Sequence, residues 1–202
     1  MINIVELRQY TLHPGQRDVL IELFDREFLE SQEAVGMRVF GQFHDAADPD
    51  RFVWVRGFAD MDRRRDALRA FYGGPVWKAH SAAANATMID SDNVLLLRPV
   101  GSGFDVPDPG ERPSLDSPLP GSVIVAVLAR PGEAAPEGGE ELGVFETSDA
   151  ENTFPALPVR VGEQFVVTFR RFADADSAAA FAASCGTIEH LTLLPTTRSQ
   201  LR

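Results

Sequence analysis

Apolar and polar side chains alternate along the first residues of the chain, a pattern typical of a β-strand. Val5, Leu7 and Gln9 share one face, and the other face carries Ile4, Glu6, Arg8 and Tyr10. The run ends at Pro14-Gly15, which predicts a sharp turn. We expect helices to cover the aliphatic face. The charged and aromatic face should then meet water, a partner sheet or a ligand.

The next residues predict a helix followed by a hairpin. Between residues 16 and 35, apolar side chains recur at helical spacing and Gly36 provides a stop. The apolar stripe consists of Val19, Leu20, Leu23, Phe24 and Phe28. Residues 37–43 and 51–58 indicate two strands around the turn-forming residues 44–50.

The rest of the first half predicts two more helices and a closing strand. Asp60 is a suitable N-cap for a helix that runs through Phe71, and Gly73-Gly74 ends that helix. Pro75 then suits the first turn of a further helix. With a strand at 93–98 the order is βαββαβ, which predicts a ferredoxin-like antiparallel sheet with helices on one face.

A weaker copy of this pattern follows a segment rich in Pro, Gly, Ser and Asp. The strand-to-helix junction at 56–62 recurs at 170–176, whereas residues 131–139 are too polar and too broken to repeat the first helix. We therefore expect a ferredoxin-like domain at 1–100, a linker at 101–121 and a degenerate ferredoxin-like domain at 122–202 that lacks most of the first helix. The predicted fold class is α+β, with two tandem ferredoxin-like domains whose antiparallel sheets pack face to face.

The composition excludes some classes of binding partner but gives little information about catalytic chemistry. Apolar residues make up 44% of the 202 residues, and the net charge is −11 with a pI near 4.8. Such acidity argues against nucleic acid and anionic membranes as partners, because both attract clustered Lys and Arg. The single Cys185 excludes an intrachain disulfide, and the amino terminus lacks the pattern of a signal peptide. Together these features indicate a cytoplasmic protein.

The charged face of the first strand is the candidate site. If the strand at 51–58 lies beside it, both strands contribute charged and aromatic side chains to one surface, and the strand at 37–43 extends it. Buried arginines need water, partner carboxylates or an anionic ligand, and aromatic walls with a few polar groups are typical of small-molecule pockets. The candidate ligand-binding residues are Glu6, Arg8, Tyr10, Arg38, His44, Trp54 and Arg56.

A structural interpretation stands beside this hypothesis. Arg–Glu pairs are common where two sheets meet, and a histidine at a hairpin tip such as His44 is commonly solvated. No His or Cys spacing indicates zinc, no glycine-rich loop indicates phosphate, and Cys185 lies in an apolar, alanine-rich segment. The sequence therefore predicts no metal and no cofactor, and it leaves open whether the protein is an enzyme.

Several separated motifs resemble the NIPSNAP family over roughly residues 1–100. These are Glu6-Leu7-Arg8-x-Tyr10, Leu12-x-Pro14-Gly15, the series Trp54, Phe58, Asp60 and Arg64, and finally Pro75-x-Trp77. The resemblance implies a dimeric α+β barrel, formed by a homodimer or within one chain. Small cofactor-free oxygenases and dehydratases resemble this fold too. Three hypotheses follow: binding of a small anionic or aromatic molecule in a barrel pocket, a cofactor-free oxygenase or dehydratase, and a non-catalytic assembly protein.

Overall fold

The computed structural model describes residues 1–202, and it confirms the α+β class. The eight strands are β1 (Ile4–Leu12), β2 (Arg38–Asp45), β3 (Arg51–Phe58), β4 (Met88–Pro99), β5 (Val123–Ala129), β6 (Glu140–Thr147), β7 (Val166–Phe172) and β8 (Glu189–Pro195). The α-helices are α1 (Arg17–Leu23), α2 (Leu29–Glu33), α3 (Met61–Tyr72), α4 (Pro75–Asn85) and α5 (Ala175–Ser184). No helix is long and apolar enough to cross a membrane.

The strands form one closed antiparallel barrel in the order β1-β3-β2-β8-β5-β7-β6-β4. Each half of the chain supplies four neighbouring strands, with β1 or β5 inside its own set. The two sets join edge to edge where β2 pairs with β8 and where β4 pairs with β6. The barrel thus closes within one chain, and the two expected sheets are continuous at both edges.

The barrel interior is a largely apolar core to which both halves contribute. Val5, Leu7, Val53 and Val55 point into it from β1 and β3. From the second half come Ile124, Ala126, Leu128, Val167 and Phe169. A separate apolar layer lies outside the barrel, between the first four strands and helices α1 to α4.

This arrangement overturns our expectation about the two faces of β1. The alternation itself is confirmed, but the aliphatic face lines the barrel interior, and the face with Glu6, Arg8 and Tyr10 lies under the helices. The reason is that the helices present aromatic side chains such as Phe24 and Phe28, which match aromatic partners on the sheet. The short aliphatic side chains instead meet their equivalents from β5 and β7 across the barrel.

The first helical stretch contains an irregularity that the apolar spacing did not predict. A π-helical turn at Phe24–Phe28 separates α1 from α2. Phe24, Asp25 and Phe28 are buried there, whereas Val19, expected on the apolar stripe, is 51% exposed. Because a π turn adds a residue to one turn of helix, it shifts the stripe that follows.

The expected helix starts are confirmed. The Asp60 side chain accepts a hydrogen bond from the Arg63 amide at 2.7 Å and caps α3, and Pro75 occupies the first turn of α4. In the second half, Asp174 caps α5 through the Ser177 amide at 2.8 Å. The repeated junction therefore has the same local structure twice.

The segment between the halves packs against one end of the barrel. Phe104 lies with its ring centroid 5.0 Å from that of Phe40, 4.5 Å from Phe145 and 5.0 Å from Phe169. Farther along, the Arg112 guanidinium contacts Glu33 at 2.6 Å and donates to the Val39 carbonyl at 2.7 Å. These contacts tie residues 101–121 to both the barrel and the first helical stretch.

Closure of the barrel predicts how the halves behave when they are separated. A fragment of residues 1–106 exposes the edges of β2 and β4 and its aliphatic face, so we expect it to pair with a second copy. Light scattering should give the mass of a dimer. A folded monomer would contradict the importance of edge closure.

A fragment of residues 115–202 serves as the comparison. Its sheet has only α5 on the outer face, so we expect too little buried apolar surface for a stable domain. A cooperative thermal melt of this fragment alone would contradict that expectation.

Candidate functional site

A buried cluster of four charged residues lies between the first four strands and the helices. The Glu6 carboxylate contacts Nη1 of Arg8 at 2.8 Å, Nε of Arg56 at 2.6 Å and Nε of Arg64 at 2.6 Å. Glu6, Arg56 and Arg64 are 0% exposed and Arg8 is 1% exposed. We call these four residues the arginine cluster. One carboxylate thus faces three guanidinium groups, and two positive charges are left without a counterion.

The remaining guanidinium nitrogens are only partly satisfied. Arg8 donates from Nε to the Tyr10 hydroxyl at 3.0 Å, and Arg56 donates from Nη1 to Oε1 of Gln32 at 3.0 Å. Nη2 of Arg56, Nη2 of Arg64 and the indole Nε1 of Trp54 are buried and have no partner. A buried donor without a partner is costly, so this group of donors is suited to an acceptor supplied from outside the chain.

The charge balance holds Glu6 in its ionised form. Burial by itself raises the pKa of Glu6, but the charges of Arg56, Arg8 and Arg64 outweigh it and hold that pKa far below its ordinary value. Burial also lowers the pKa of Arg64, against the opposing effect of Glu6. An arginine nevertheless stays protonated in a protein, so the cluster keeps its positive charge.

Local structure explains how the cluster assembles. The register of β1 and β3 places Glu6 opposite Arg56 and Arg8 opposite Trp54, as the sequence predicts for neighbouring strands. Arg64 reaches Glu6 from α3, where it shares a buried face with Leu68. The N-cap at Asp60 fixes the start of that helix and hence the position of Arg64.

A small cavity with aromatic walls lies beside the cluster. Its volume is about 30 Å³, and 10 of its 11 lining residues are hydrophobic. The aromatic members are Tyr10, Phe24, Phe28, Trp54, Phe71, Tyr72 and Trp77. Three lining residues also touch arginines of the cluster, namely Tyr10, Gln32 and Trp54. The cavity itself therefore has aromatic walls without a charged lining residue, and the arginines lie directly behind Tyr10, Gln32 and Trp54.

The cavity wall offers little for acid–base or metal chemistry. Its only titratable groups are the phenols of Tyr10 and Tyr72, and burial raises the pKa of Tyr10. No group of three or more His, Cys, Asp or Glu side chains is arranged to hold a metal ion. These groups are suited to binding by charge and by aromatic contact.

The second half provides an internal comparison for the cluster. Arg170 lies four residues before the capping Asp174, as Arg56 lies before Asp60, and it pairs with Val125 where Arg56 pairs with Glu6. Val127 corresponds in the same way to Arg8, and Ala178 to Arg64. Val125, Val127 and Ala178 are part of an apolar layer under α5. The same fold thus packs without buried charge when no cluster is present.

Two of the seven candidate residues lie elsewhere. Arg38 contacts Glu33 at 3.1 Å and His44 contacts Asp18 at 3.0 Å; neither touches Glu6 or lines the cavity. A β-bulge between Val39 and Gly41 breaks the alternation along β2. The bulge leaves Arg38 opposite Gly57, whereas His44, opposite Phe52, stays on the face that lies under the helices. The expectation that β2 extends this face was therefore wrong for Arg38 but not for His44, although His44 contacts Asp18 and does not reach the cluster. The other five, Glu6, Arg8, Tyr10, Trp54 and Arg56, do come together.

Sequence reasoning missed two members of the site that lie on the first half. Arg64 was quoted only as part of a motif, although its spacing to Ala67, Leu68 and Phe71 on α3 places it on the buried helix face. Gln32, on α2, accepts a hydrogen bond from Arg56. A polar residue on the apolar side of a predicted helix is the signal that could have identified both.

A second buried carboxylate belongs to a different environment. Asp25, in the π turn, accepts a hydrogen bond from Nε2 of Gln42 at 3.1 Å. Burial raises its pKa to about 6, although the charge of Arg198 and the hydrogen bond from Gln42 oppose the rise. Asp25 contacts none of the three cluster arginines.

The charge count predicts opposite responses to two substitutions. Glu6→Gln leaves three buried guanidinium groups without an anion and should lower the free energy of unfolding by about 3–5 kcal/mol. Arg8→Met removes one of the surplus positive charges while Glu6 keeps two partners, so the free energy of unfolding should change by less than about 1 kcal/mol.

Urea unfolding of both variants at neutral pH provides the measurement. The ionised form of Glu6 contributes stability above its unfolded-state pKa, and that stability is lost only as pH falls toward the depressed folded-state pKa. The Glu6→Gln deficit should consequently be constant across the neutral range. If Glu6→Gln and Arg8→Met lower the free energy of unfolding equally, the cluster does not carry a surplus of positive charge.

The sequence model of the NIPSNAP family matches residues 5–102. Among solved structures, a NIPSNAP-like domain protein from Burkholderia xenovorans is 24% identical, and the match covers 52% of this chain and 90% of that one with a TM-score of 0.46. A candidate monooxygenase from Lactobacillus acidophilus NCFM is 12% identical, with 99% and 97% covered and a TM-score of 0.56.

A second candidate monooxygenase, from Fusobacterium nucleatum, covers 98% of this chain and 94% of its own, with 10% identity and a TM-score of 0.54. These two matches extend over both halves and show that the whole chain shares their fold. A comparison with curated proteins finds no match. The family match agrees with the motifs at Glu6 and Trp54, and it identifies residues 5–102 as a NIPSNAP domain.

Proposed function

We propose that the first half of the chain binds a small anionic molecule with an aromatic or apolar body, in the cavity beside the arginine cluster. The observation that carries the proposal is the buried surplus of two positive charges, together with the unpartnered Nη2 atoms of Arg56 and Arg64. A bound carboxylate would neutralise one of the two surplus charges and offer an acceptor to each of the two Nη2 atoms.

The aromatic wall argues for an apolar body on that anion. Phe24 lies with its ring centroid 4.8 Å from that of Trp54, and Phe28 lies 5.6 Å from Trp77. Such a wall excludes water and stacks on planar groups. A cavity of about 30 Å³ is smaller than an aromatic ring requires, so binding involves displacement of a covering element.

The internal comparison supports function over stability as the reason for the cluster. Val125, Val127 and Ala178 fill the positions equivalent to Glu6, Arg8 and Arg64 in the second half. Arg170, at the position of Arg56, pairs with Glu141 instead. A buried charge network contributes little net stability compared with well-packed apolar residues. A binding role accounts for the buried cluster of the first half and for the absence of such a cluster from the second.

A cofactor-free oxygenase is the second candidate. The two full-length fold neighbours are named as candidate monooxygenases, and the cavity walls are apolar, which favours entry of dioxygen. Consumption of oxygen in an electrode cell, dependent on a bound aromatic anion and abolished by Arg56→Met, would favour this activity. A non-catalytic assembly protein would bind none of the probes below.

Binding is best tested with three probes that separate charge from ring. Benzoate carries both features, benzamide has the ring without the charge, and cyclohexanecarboxylate has the charge without the aromatic ring. We expect benzoate to raise the thermal midpoint most, since only benzoate satisfies both parts of the site. Equal shifts from all three probes would contradict the proposed selectivity.

The matched variants are Arg56→Met and Arg170→Met, which alter equivalent arginines in the two halves. Arg56→Met should weaken benzoate binding at least tenfold, about 1.4 kcal/mol, because a charge-assisted contact is lost. Arg170→Met should leave it unchanged, since Arg170 contacts Glu141 on the outside of the second half. Equal affinities in both variants, measured by calorimetry, would overturn the proposal.

A further inference from the structure

A long segment of the second half lies over the site of the first half. Residues 148–165 connect β6 to β7 without any helix or strand, whereas the corresponding connection between β2 and β3 is only residues 46–50. Connections of this length in compact domains are uncommon and are typical of lids and binding loops. The additional residues lie where they contact the other half.

Two backbone hydrogen bonds, at Ser148 and at Arg160, fix this segment to β4. The amide of Ser148 donates to the Leu96 carbonyl at 2.8 Å, and the amide of Arg160 donates to the Val94 carbonyl at 2.8 Å. Between these points the segment crosses the helix-covered side of the first half. Phe154, Leu157 and Val159 pack against the apolar layer there while remaining only partly buried.

Asn152 contacts the arginine cluster directly. Its Oδ1 accepts hydrogen bonds from Nη1 of Arg64 at 3.0 Å and from the Phe154 amide at 3.1 Å, and its Nδ2 donates to the Leu157 carbonyl at 2.9 Å. These three bonds orient the side-chain amide. Since Nε of Arg64 is held by Glu6, Asn152 determines that Nη2 is the nitrogen left without a partner.

Phe154 supports the wall of the cavity from outside. Its ring stacks on Tyr72, with centroids 6.0 Å apart and planes at 24°. Tyr72 lines the cavity and packs edge-on against Trp77 at 4.8 Å. Nearby, the Thr153 hydroxyl donates to the Met61 carbonyl at 3.0 Å at the start of α3. Displacement of the segment would therefore release both Arg64 and Tyr72.

We propose that residues 149–159, between the two hydrogen bonds to β4, are the gate of the first-half site and that Asn152 is a positioning residue for Arg64. The proposal rests on the function proposed above and adds how the ligand enters. Opening the gate removes Phe154 from Tyr72 and enlarges the small cavity. Closing it returns the Asn152 carbonyl to Arg64 and leaves Nη2 directed to the ligand's acceptor.

Quenching of tryptophan fluorescence in the full chain measures how often the gate opens, and it needs no ligand. The chain has two tryptophans, Trp54 and Trp77, and both line the cavity. Iodide and acrylamide serve as an anionic and a neutral quencher. Phe154→Ala should raise both quenching constants about twofold or more, because it weakens the closed state. Glu151→Ala, at an exposed neighbouring position, should leave both unchanged.

The ratio of the iodide and acrylamide quenching constants distinguishes a positioning role of Asn152 from a purely structural one. Asn152→Ala frees Nη1 of Arg64 and should raise iodide quenching more than acrylamide quenching, since iodide is attracted to the surplus charge. Asn152→Asp supplies a carboxylate to Arg64 and should return the ratio of the two constants to the unaltered value or below it. Identical ratios in Asn152→Ala and Glu151→Ala would overturn the positioning role.

Amide hydrogen exchange of the unsubstituted chain tests gate opening even if one of the variants fails to fold. Amides of residues 149–159 should exchange through openings that leave β6 and β7 protected. Exchange of this segment only together with β7 would overturn the gate. If the quenching and exchange results are as expected but benzoate does not bind, the proposed function is refuted and the gate is not. If benzoate binds but the expected quenching and exchange results are not found, the gate is refuted and the proposed function is not.

Discussion

The contact of one carboxylate with three guanidinium groups determines the organisation of the first half. Glu6 draws Arg8 and Arg56 from the sheet and Arg64 from α3 to one point, so sheet and helix are joined by charge as well as by apolar packing. Because the arginines outnumber the carboxylate, the arrangement leaves two positive charges where water is excluded. The cavity, the polar ligands of the arginines and the covering segment are all arranged around that surplus.

Barrel closure explains why the cluster lies where it does. Aliphatic and phenylalanine side chains from all eight strands fill most of the interior, and the charged side chains of β1 and β3 lie on the outer face. That face is then covered by aromatic helices and by residues 148–165 of the second half. The second half has no buried equivalent of the arginine cluster, yet it contributes strands to the barrel and a covering segment to the site. The two halves thus contribute differently to one structure.

Much of the fold could be predicted from the sequence, because alternation and capping are local signals. The sequence predicted correctly which residues share each face of β1, and it predicted the caps at Asp60 and Asp174. It also predicted the strand order of the first half. The assignment of faces to helix or barrel was wrong, since it depends on partners distant in sequence. The bulge near Gly41 and the contact between Asn152 and Arg64 depend on tertiary structure and leave no local pattern.

The central claim is that the arginine cluster lacks an anion of its own. Anomalous diffraction from crystals of the full chain soaked in bromide tests it most directly, because bromide is a small anion whose position is seen without assumption. The account predicts a bromide peak within contact distance of Nη2 of Arg56 or Arg64. Bromide confined to the protein surface, with the two Nη2 atoms bonded to ordered water, would contradict the account.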